Sequence, residues 1–529
     1  MAHDLNAATE GKGGCPCCSS PVKRVVQELA ARTSFSRRNL IVGMGTAAVG
    51  AWAMTSESSR ADENPSQARR VIKPTKELIV QPVLTYEIPV RQEQQSWRHW
   101  GDLQTVEDLA DEVKRIEKEL KQLVASNHLP LRLLPLAKVS TKEEAAKVKG
   151  SVCDVMLVYA AGAYVLNELV PDDKPVLFFL RHKSGPISLH YETLHPIFLR
   201  NRSDKNIHKH IDVQDVVVDD YSDLAWRFRG LVGLRKTLGQ RIIAIGGAKG
   251  WGTVAAKISP KLARETWKLD IVTVSYGDLE KRIKRLREDP KAVAEAVRQS
   301  EQYLGQSNVT LHTDRTFVDN AFLLYRVLKD LMRENDATAM TICSCMKTVM
   351  PVSKTSACLP LSLLNDEGYL AFCESDFAVI PSGILMHHIT GLPTFLNDPT
   401  WPHHGIVTLA HCTAPRKMNG KDYEPTKIYT HFESDYGAAP KVNMAKGQEV
   451  TMVVPEFSGQ KWIGAKGKIL DHPFHSICRS QIDVAIEGDW ERLARDMGGF
   501  HWMMVYGDCL KEVGYAIRRL GIEWDNISA

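Results

Sequence analysis

The chain lacks the features that mark several large classes of protein. Its 529 residues carry a net charge of only +4, so no strongly basic face predicts a nucleic-acid partner. The 11 cysteines are too scattered for the dense disulfide framework of a small secreted domain. Hydrophobic residues make up 44% and charged residues 25%, which is ordinary for a globular protein. The composition therefore predicts a folded globular protein and gives no reason to expect a nucleic-acid partner.

One apolar run near the N-terminus predicts where the protein is sent. Ser36-Arg37-Arg38 precedes a Gly- and Ala-rich run over residues 40–54, and Ser59-Arg60-Ala61 follows as a small-x-small cleavage site. This order is typical of a twin-arginine export signal, and the run is too short for a good transmembrane helix. No other segment approaches the roughly 18 apolar residues that a span needs. We expect export to the bacterial periplasm or cell surface, and no membrane contact after signal removal.

The pattern of the remaining chain changes once. Strand-like apolar runs alternate with amphipathic helical patterns up to about residue 352, which favours βαβ units and parallel sheets. Short β-branched segments with Gly and Pro turns follow, and these favour an antiparallel barrel or sandwich. The predicted divisions are a leader (1–61), a linker (62–75), an N-terminal α/β domain (76–238), a second α/β domain (239–352) and a C-terminal domain (353–529).

Acidic residues and histidines stand where apolar runs end. Glu374 and Asp376 follow the run 368–372, His411 ends the next such run, and His501 is placed as a third ending of this kind. Carboxylates and imidazoles at strand ends are how α/β enzymes build a site for a divalent metal. Glu374 and Asp376 are two residues apart, so they would share a face if the strand continued.

Two further features of this region stay open. The turn GGAKGWG after the strand at 242–245 lacks the spacing of a P-loop or a dinucleotide fingerprint, but Lys249 or Trp251 could reach a ligand from it. Several cysteines fall close to the predicted site, either as small packing residues or as a thiolate ligand or redox pair. They are Cys343, Cys345, Cys358, Cys373 and Cys412.

Four short motifs resemble the superfamily of L-fucose isomerase and L-arabinose isomerase. They are Leu364-Asn365-Asp366-Glu367-Gly368, Cys373-Glu374-Ser375-Asp376, Ala410-His411-Cys412, and His501-Trp502 with Gly507-Asp508 behind it. The resemblance implies an α/β fold of two Rossmann-like parallel-sheet domains, followed by a C-terminal domain with a small antiparallel β-barrel. It also implies a homo-oligomer.

The same resemblance implies a function and a site. It predicts an aldose–ketose isomerase that acts on a free sugar through an enediol, with a divalent metal, Mn²⁺ in first place and Zn²⁺ as the alternative. Glu374 and Asp376 would serve as metal ligands and as catalytic carboxylates, His501 and His411 as further ligands, and His411 and Trp401 as sugar contacts. The family's acidic residue at the preceding strand end is absent, because Cys343-Ser344-Cys345 stands there.

Two other functions compete with this one. A non-catalytic exported sugar-binding protein would use the same scaffold, since periplasmic binders also place a ligand between α/β domains. A metal-dependent hydrolase or lyase would use the same acidic and histidine ligands. Convergence of the carboxylates and imidazoles on one point, at metal-ligand reach, favours a metal enzyme over a binder.

Overall fold

The computed structural model describes residues 76–98, 101, 103–185, 194 and 210–529. The predicted leader at 1–61 and linker at 62–75 lie outside the described residues. Within the described ranges, no helix is long and apolar enough to cross a membrane.

The first body is a parallel sheet of six strands in the order β2-β1-β4-β5-β6, with β3 beside β1. All residues of β4 and β5 are buried, as expected for strands of a parallel sheet that are covered on both faces. The strands are β1 Leu78–Thr85, β2 Leu131–Leu133, β3 Ala137–Val139, β4 Val155–Ala160, β5 Val176–Leu180 and β6 Val216–Val218. The helices are α1 Val106–Ser126, α2 Lys142–Lys149, α3 Leu166–Leu169 and α4 Tyr221–Thr237.

The second body is a four-stranded parallel sheet in the order β11-β10-β7-β8. Its strands are β7 Arg241–Ile245, β8 Asp270–Val274, β10 Ala339–Ile342 and β11 Leu370–Cys373, and β9 is Val309–Leu311. The helices are α5 Thr253–Glu265, α6 Tyr276–Arg287, α7 Pro290–Leu304, α8 Arg315–Glu334, α9 Cys345–Ser353 and α10 Cys358–Asp366. Because the strands are parallel, the glycine-rich turn after β7, Cys343 after β10 and Glu374 after β11 meet at one edge.

The C-terminal part is a closed antiparallel barrel of six strands, in which β16 pairs with β19 and β17, and β12, β13 and β18 complete the ring. Strand β20 adds to β17 in parallel, and β14, β15 and β9 form a separate small sheet. The elements are α11 Ile380–Thr390, β12 Phe395–Pro399, β13 Ile406–His411, β14 Thr426–His431, β15 Tyr436–Val442, β16 Glu449–Pro455, β17 Lys461–Asp471, β18 Ser480–Glu487, α12 Trp490–Asp496, β19 Trp502–Tyr506, α13 Leu510–Arg518 and β20 Glu523–Asn526.

This architecture confirms the predicted fold class: two parallel α/β sheets followed by an antiparallel barrel. The barrel interior is filled by large apolar side chains, among them Phe395, Trp502 and Met504. One local prediction is wrong, because His501 stands immediately before β19 and not at the end of a strand. The two predicted domain boundaries after residue 76, between 238 and 239 and between 352 and 353, stay predictions.

Candidate metal centre

Four side chains from two bodies meet where β11 faces the barrel. Glu374 follows the last residue of β11, and Asp398, His411 and His501 come from β12, β13 and the residue before β19. The barrel register explains the meeting, because Asp398 pairs with Ala410, and Asn397 pairs with Trp502. In an antiparallel barrel one strand's end lies beside its neighbour's start, so residues far apart in sequence reach the same rim.

The donor atoms of these side chains lie within a few ångströms of each other. Nε2 of His501 is 3.3 Å from Oε2 of Glu374 and 3.3 Å from Oδ1 of Asp398. Nε2 of His411 is 3.8 Å from Oε1 of Glu374. Asp398, His411 and His501 each offer one ligand atom, and these three atoms all lie within 4.8 Å of one another.

The three barrel residues fit a divalent cation. Among the described residues, Oδ1 of Asp398 and the Nε2 atoms of His411 and His501 are buried and have no hydrogen-bond partner. Buried polar atoms are nearly always paired, so three that face each other without a hydrogen bond form a place that suits a cation. One carboxylate oxygen and two imidazole nitrogens are the donors that Mn²⁺ or Zn²⁺ accepts.

The outer nitrogen of each imidazole is already engaged. Nδ1 of His501 donates to Oδ2 of Asp376 over 2.8 Å, and Nδ1 of His411 lies 3.1 Å from the hydroxyl of Thr413. Such partners fix the ring and its tautomer in metal-binding histidines. The structure therefore places Asp376 behind His501, on the side away from Asp398, and not beside Glu374 as the shared-face interpretation expects.

The backbone after β11 produces this separation of the two carboxylates. Glu374 and Ser375 have φ values of 64° and 52°, so the strand ends at Cys373 in two left-handed residues. Non-glycine residues rarely adopt this conformation, and it persists only where neighbours enforce it. Here the Ser375 amide donates to the hydroxyl of Thr341 over 3.0 Å, and the Lys249 amide donates to the Ser375 carbonyl over 3.2 Å.

Charges in the site favour a bound cation. Burial raises the pKa of Asp398. Burial also acts to raise the pKa of Glu374, but the imidazole of His501, 3.3 Å away, and that of His411 outweigh it and lower that pKa below its usual value. Burial acts to lower the pKa of His501, yet Asp376 and Glu374 raise it to about 10. Three carboxylates thus surround two imidazoles, and a divalent cation would balance the excess negative charge.

Aromatic side chains line one flank of this centre. Trp251, in the glycine-rich turn, stacks on Phe500 with ring centroids 5.1 Å apart and meets His501 edge-on at 5.8 Å. The sequence indicates Trp251 only as one residue able to reach a ligand, and the structure brings it against the centre. Trp401, predicted as a sugar contact, lies in the loop after β12 and is 65% exposed.

The sequence-based prediction missed Asp398. The signal was present, because Phe395-Leu396 is an apolar pair that leads to a carboxylate, as the run before Glu374 does. Asn397 and Pro399 on either side of Asp398 are residues typical of turns, and they hid the strand.

Comparison with known proteins adds one finding. No family model matches the chain. The chain is distantly similar to a sugar isomerase. Over 202 residues it is 24% identical to the sulfoquinovose isomerase of Clostridium sp. (strain MSTE9), and the match covers 36% of this chain and 44% of that protein. The similarity agrees with the sugar-isomerase part of the prediction, while the L-fucose and L-arabinose isomerase superfamily is not named by it.

Proposed function

We propose that the protein is a metal-dependent aldose–ketose isomerase that acts on a free monosaccharide through an enediol. The observation that carries the proposal is the convergence of three unpartnered buried donor atoms, from Asp398, His411 and His501, beside the carboxylate of Glu374. Distant similarity to an enzyme named as a sulfoquinovose isomerase supports the sugar-isomerase class.

Asp398, His411 and His501 would hold the divalent ion, Mn²⁺ in first place and Zn²⁺ as the alternative. A bound ion of this kind polarises a carbonyl and stabilises the negative charge of an enediolate. Asp376 keeps Nδ1 of His501 protonated and turns Nε2 toward Asp398. In this assignment Asp376 is a positioning residue, and Glu374 is the catalytic carboxylate.

Glu374 is the residue that we assign as the proton carrier. Its side chain is 33% exposed, so it reaches the open side of the centre, and its lowered pKa keeps it ionised at neutral pH. An ionised carboxylate removes the proton from C2 of the sugar and returns it to C1, while the hydroxyl proton moves from O2 to O1. Trp251 offers an apolar face for the sugar beside it, and Trp401 stays a second candidate for stacking.

Two variants separate the roles of base and ligand. Glu374→Gln keeps the shape and removes the base, so we expect metal content to be retained and isomerisation to fall by about 10²–10⁴-fold. Asp398→Asn removes a charged ligand, so both metal and activity should be lost. Metal is measured by elemental analysis, and ketose formation is measured on neutral aldoses and on sulfoquinovose. The exposed Glu487→Gln serves as the matched control.

The outcomes also discriminate between the competing functions. Loss of metal in Glu374→Gln would show that Glu374 is a metal ligand and would contradict its assignment as the base. Metal-bound protein that binds sugars without forming ketose would favour the exported sugar-binding protein, and cleavage products would favour a hydrolase or lyase. Export by the twin-arginine route and assembly as a homo-oligomer remain part of the proposal, to be tested by fractionation and by light scattering.

A further inference from the structure

A cluster of thiols lies beside the candidate metal centre and is used by no step of the proposed reaction. Cys412 directly follows His411 at the end of β13, Cys358 begins α10, and Cys478 lies two residues before β18. His431, the last residue of β14, completes the group. Consecutive residues at a strand end point to opposite sides, so His411 and Cys412 serve two different sites.

The distances suit a common ligand. One atom each from Cys358, Cys412 and His431 lie within 4.8 Å of one another. The Cys412 thiol packs beside the thiols of both Cys358 and Cys478, and the backbone N–H of Arg479 donates to its sulfur over 3.3 Å. Backbone donors of this kind support a thiolate in metal sites.

The imidazole of His431 is placed as a ligand would be. Its Nδ1 lies 3.0 Å from the hydroxyl of Ser434, which holds the ring and leaves Nε2 for an ion. Cys358 and Cys412 are buried, whereas His431 and Cys478 are half-buried. The group therefore has a closed inner side and an open outer side through which an ion enters.

We infer that Cys358, Cys412, Cys478 and His431 form a second metal site, of the thiolate type, that takes Zn²⁺. Three sulfurs and one imidazole nitrogen are the ligand set of a closed tetrahedral zinc site. Each bound thiol gives its proton to solvent, so the three sulfurs release three protons when the ion binds. The site goes beyond the proposed isomerase activity and does not depend on it.

Neither a disulfide nor plain core packing accounts for the whole cluster. A disulfide would use two sulfurs and leave the third thiol and the imidazole without a role. Core packing is sufficient for a cysteine such as Cys509, which is buried among apolar side chains, but not for three thiols gathered around a histidine.

Cobalt titration of the full-length protein tests the site. Co²⁺ bound by thiolates gives an intense near-ultraviolet charge-transfer band that oxygen and nitrogen ligands do not give, and loss of the band in a cysteine variant assigns it to that cysteine. We expect the band in the reduced, metal-stripped wild type and in Asp398→Asn, where the neighbouring centre is damaged. It should be lost in Cys412→Ser and unchanged in Cys153→Ser, a half-buried cysteine of the first domain.

Several results would overturn the inference. One is a wild type without the band, and another is a band of full intensity in Cys412→Ser. Recovery of a Cys358–Cys412 disulfide from protein produced with ample Zn²⁺ and reductant is a third. If Cys412→Ser does not fold, the half-buried His431→Asn and Cys478→Ser carry the same test, with a weakened band expected in each. Loss of isomerase activity has no bearing on these readings, so the two proposals fail separately.

Discussion

At the scale of single residues, Asp376 controls how His501 presents its free nitrogen. The carboxylate is 2% exposed and accepts the Nδ1 proton of His501 over 2.8 Å. Asp376→Asn removes this charge and weakens the hold on the tautomer, so we expect metal affinity to fall by about 10- to 100-fold. Mn²⁺ and Zn²⁺ titrations followed by calorimetry measure the change.

The exposed Asp435→Asn is the control for this variant, since Asp435 is also a hydrogen-bond acceptor, here for the hydroxyl of Thr430, but is not one of the residues of the centre. Its metal affinity should match that of the wild type. An Asp376→Asn protein with unchanged affinity would show that the carboxylate does not tune the centre. An affinity lost completely would instead argue that Asp376 binds the ion itself.

The sequence predicts part of this centre and misses part for identifiable reasons. Glu374, His411 and His501 are predicted because each stands beside an apolar run, and the structure brings all three together. The different placement of Asp376 depends on two left-handed residues after β11, which nothing in the local sequence announces, since neither is glycine. Asp398 can be recognised as part of the centre only from the pairing of β12 with β13 and β19, and this pairing joins segments that are far apart in the sequence.

At the scale of elements, the entry into β19 sets the position of His501. Gly499 passes so close to β16 that an added Cβ would lie 2.1 Å from the carbonyl oxygen of Pro455. Gly499→Ala must push the segment that leads into β19 away from the end of β16, two residues before His501. We expect unfolding free energy to drop by about 1–3 kcal/mol, as for other overpacked sites, and metal binding to weaken. Denaturant unfolding in EDTA and metal titration measure both.

The helix position Gly277 provides the matched control. A Cβ there would have Ser275 Oγ as its nearest neighbour at 3.9 Å, and alanine is favoured over glycine inside a helix. Gly277→Ala in α6 should therefore be neutral or slightly stabilising, with unchanged metal affinity. Equal unfolding free energies and metal affinities in the two variants would mean that the contact between Gly499 and β16 adjusts to a Cβ without loss of stability.

Regular elements are predictable because their periodicity is local. The sequence predicts the helix Lys142–Lys149 and the strand Asp270–Val274 with the bounds that the structure gives them. It predicts the apolar stretch 131–139 as one strand, but the structure breaks this stretch into β2 and β3 around residues 134–136, which include Pro135. A proline lacks the N–H that a ladder needs, so the break has a local cause that is present in the sequence.

At the scale of the whole molecule, the site exists because a parallel sheet and a barrel are held edge to edge. Glu374 comes from the sheet and the other three residues come from the barrel, so neither body contains the centre alone. Buried polar contacts fasten the two bodies near this junction. Oδ1 of Asp366, at the end of α10, accepts the backbone N–H groups of Arg416 and Lys417 beyond β13, over 2.6 and 2.9 Å.

The buried Asp366 in this contact makes the stability of the protein depend on pH, and the direction follows from the shift of its pKa. Burial raises the pKa of Asp366 from 3.8 to about 7, against the lowering effect of those backbone donors. The folded protein then binds a proton that the unfolded chain has released, so the contribution of Asp366 to stability declines as pH rises from about 4 to 7. Asp366→Asn keeps an acceptor oxygen and removes the titration.

We therefore expect the unfolding free energy of Asp366→Asn, relative to wild type, to increase by about 2–3 kcal/mol between roughly pH 5 and pH 8. Urea unfolding of metal-stripped protein at both pH values measures it, and all other titrating groups cancel in the difference. Asp435→Asn, on an exposed turn, should run parallel to the wild type. A difference for Asp366→Asn that stays constant over this range would mean that the buried carboxyl does not take up a proton on folding, and that the junction tolerates its charge.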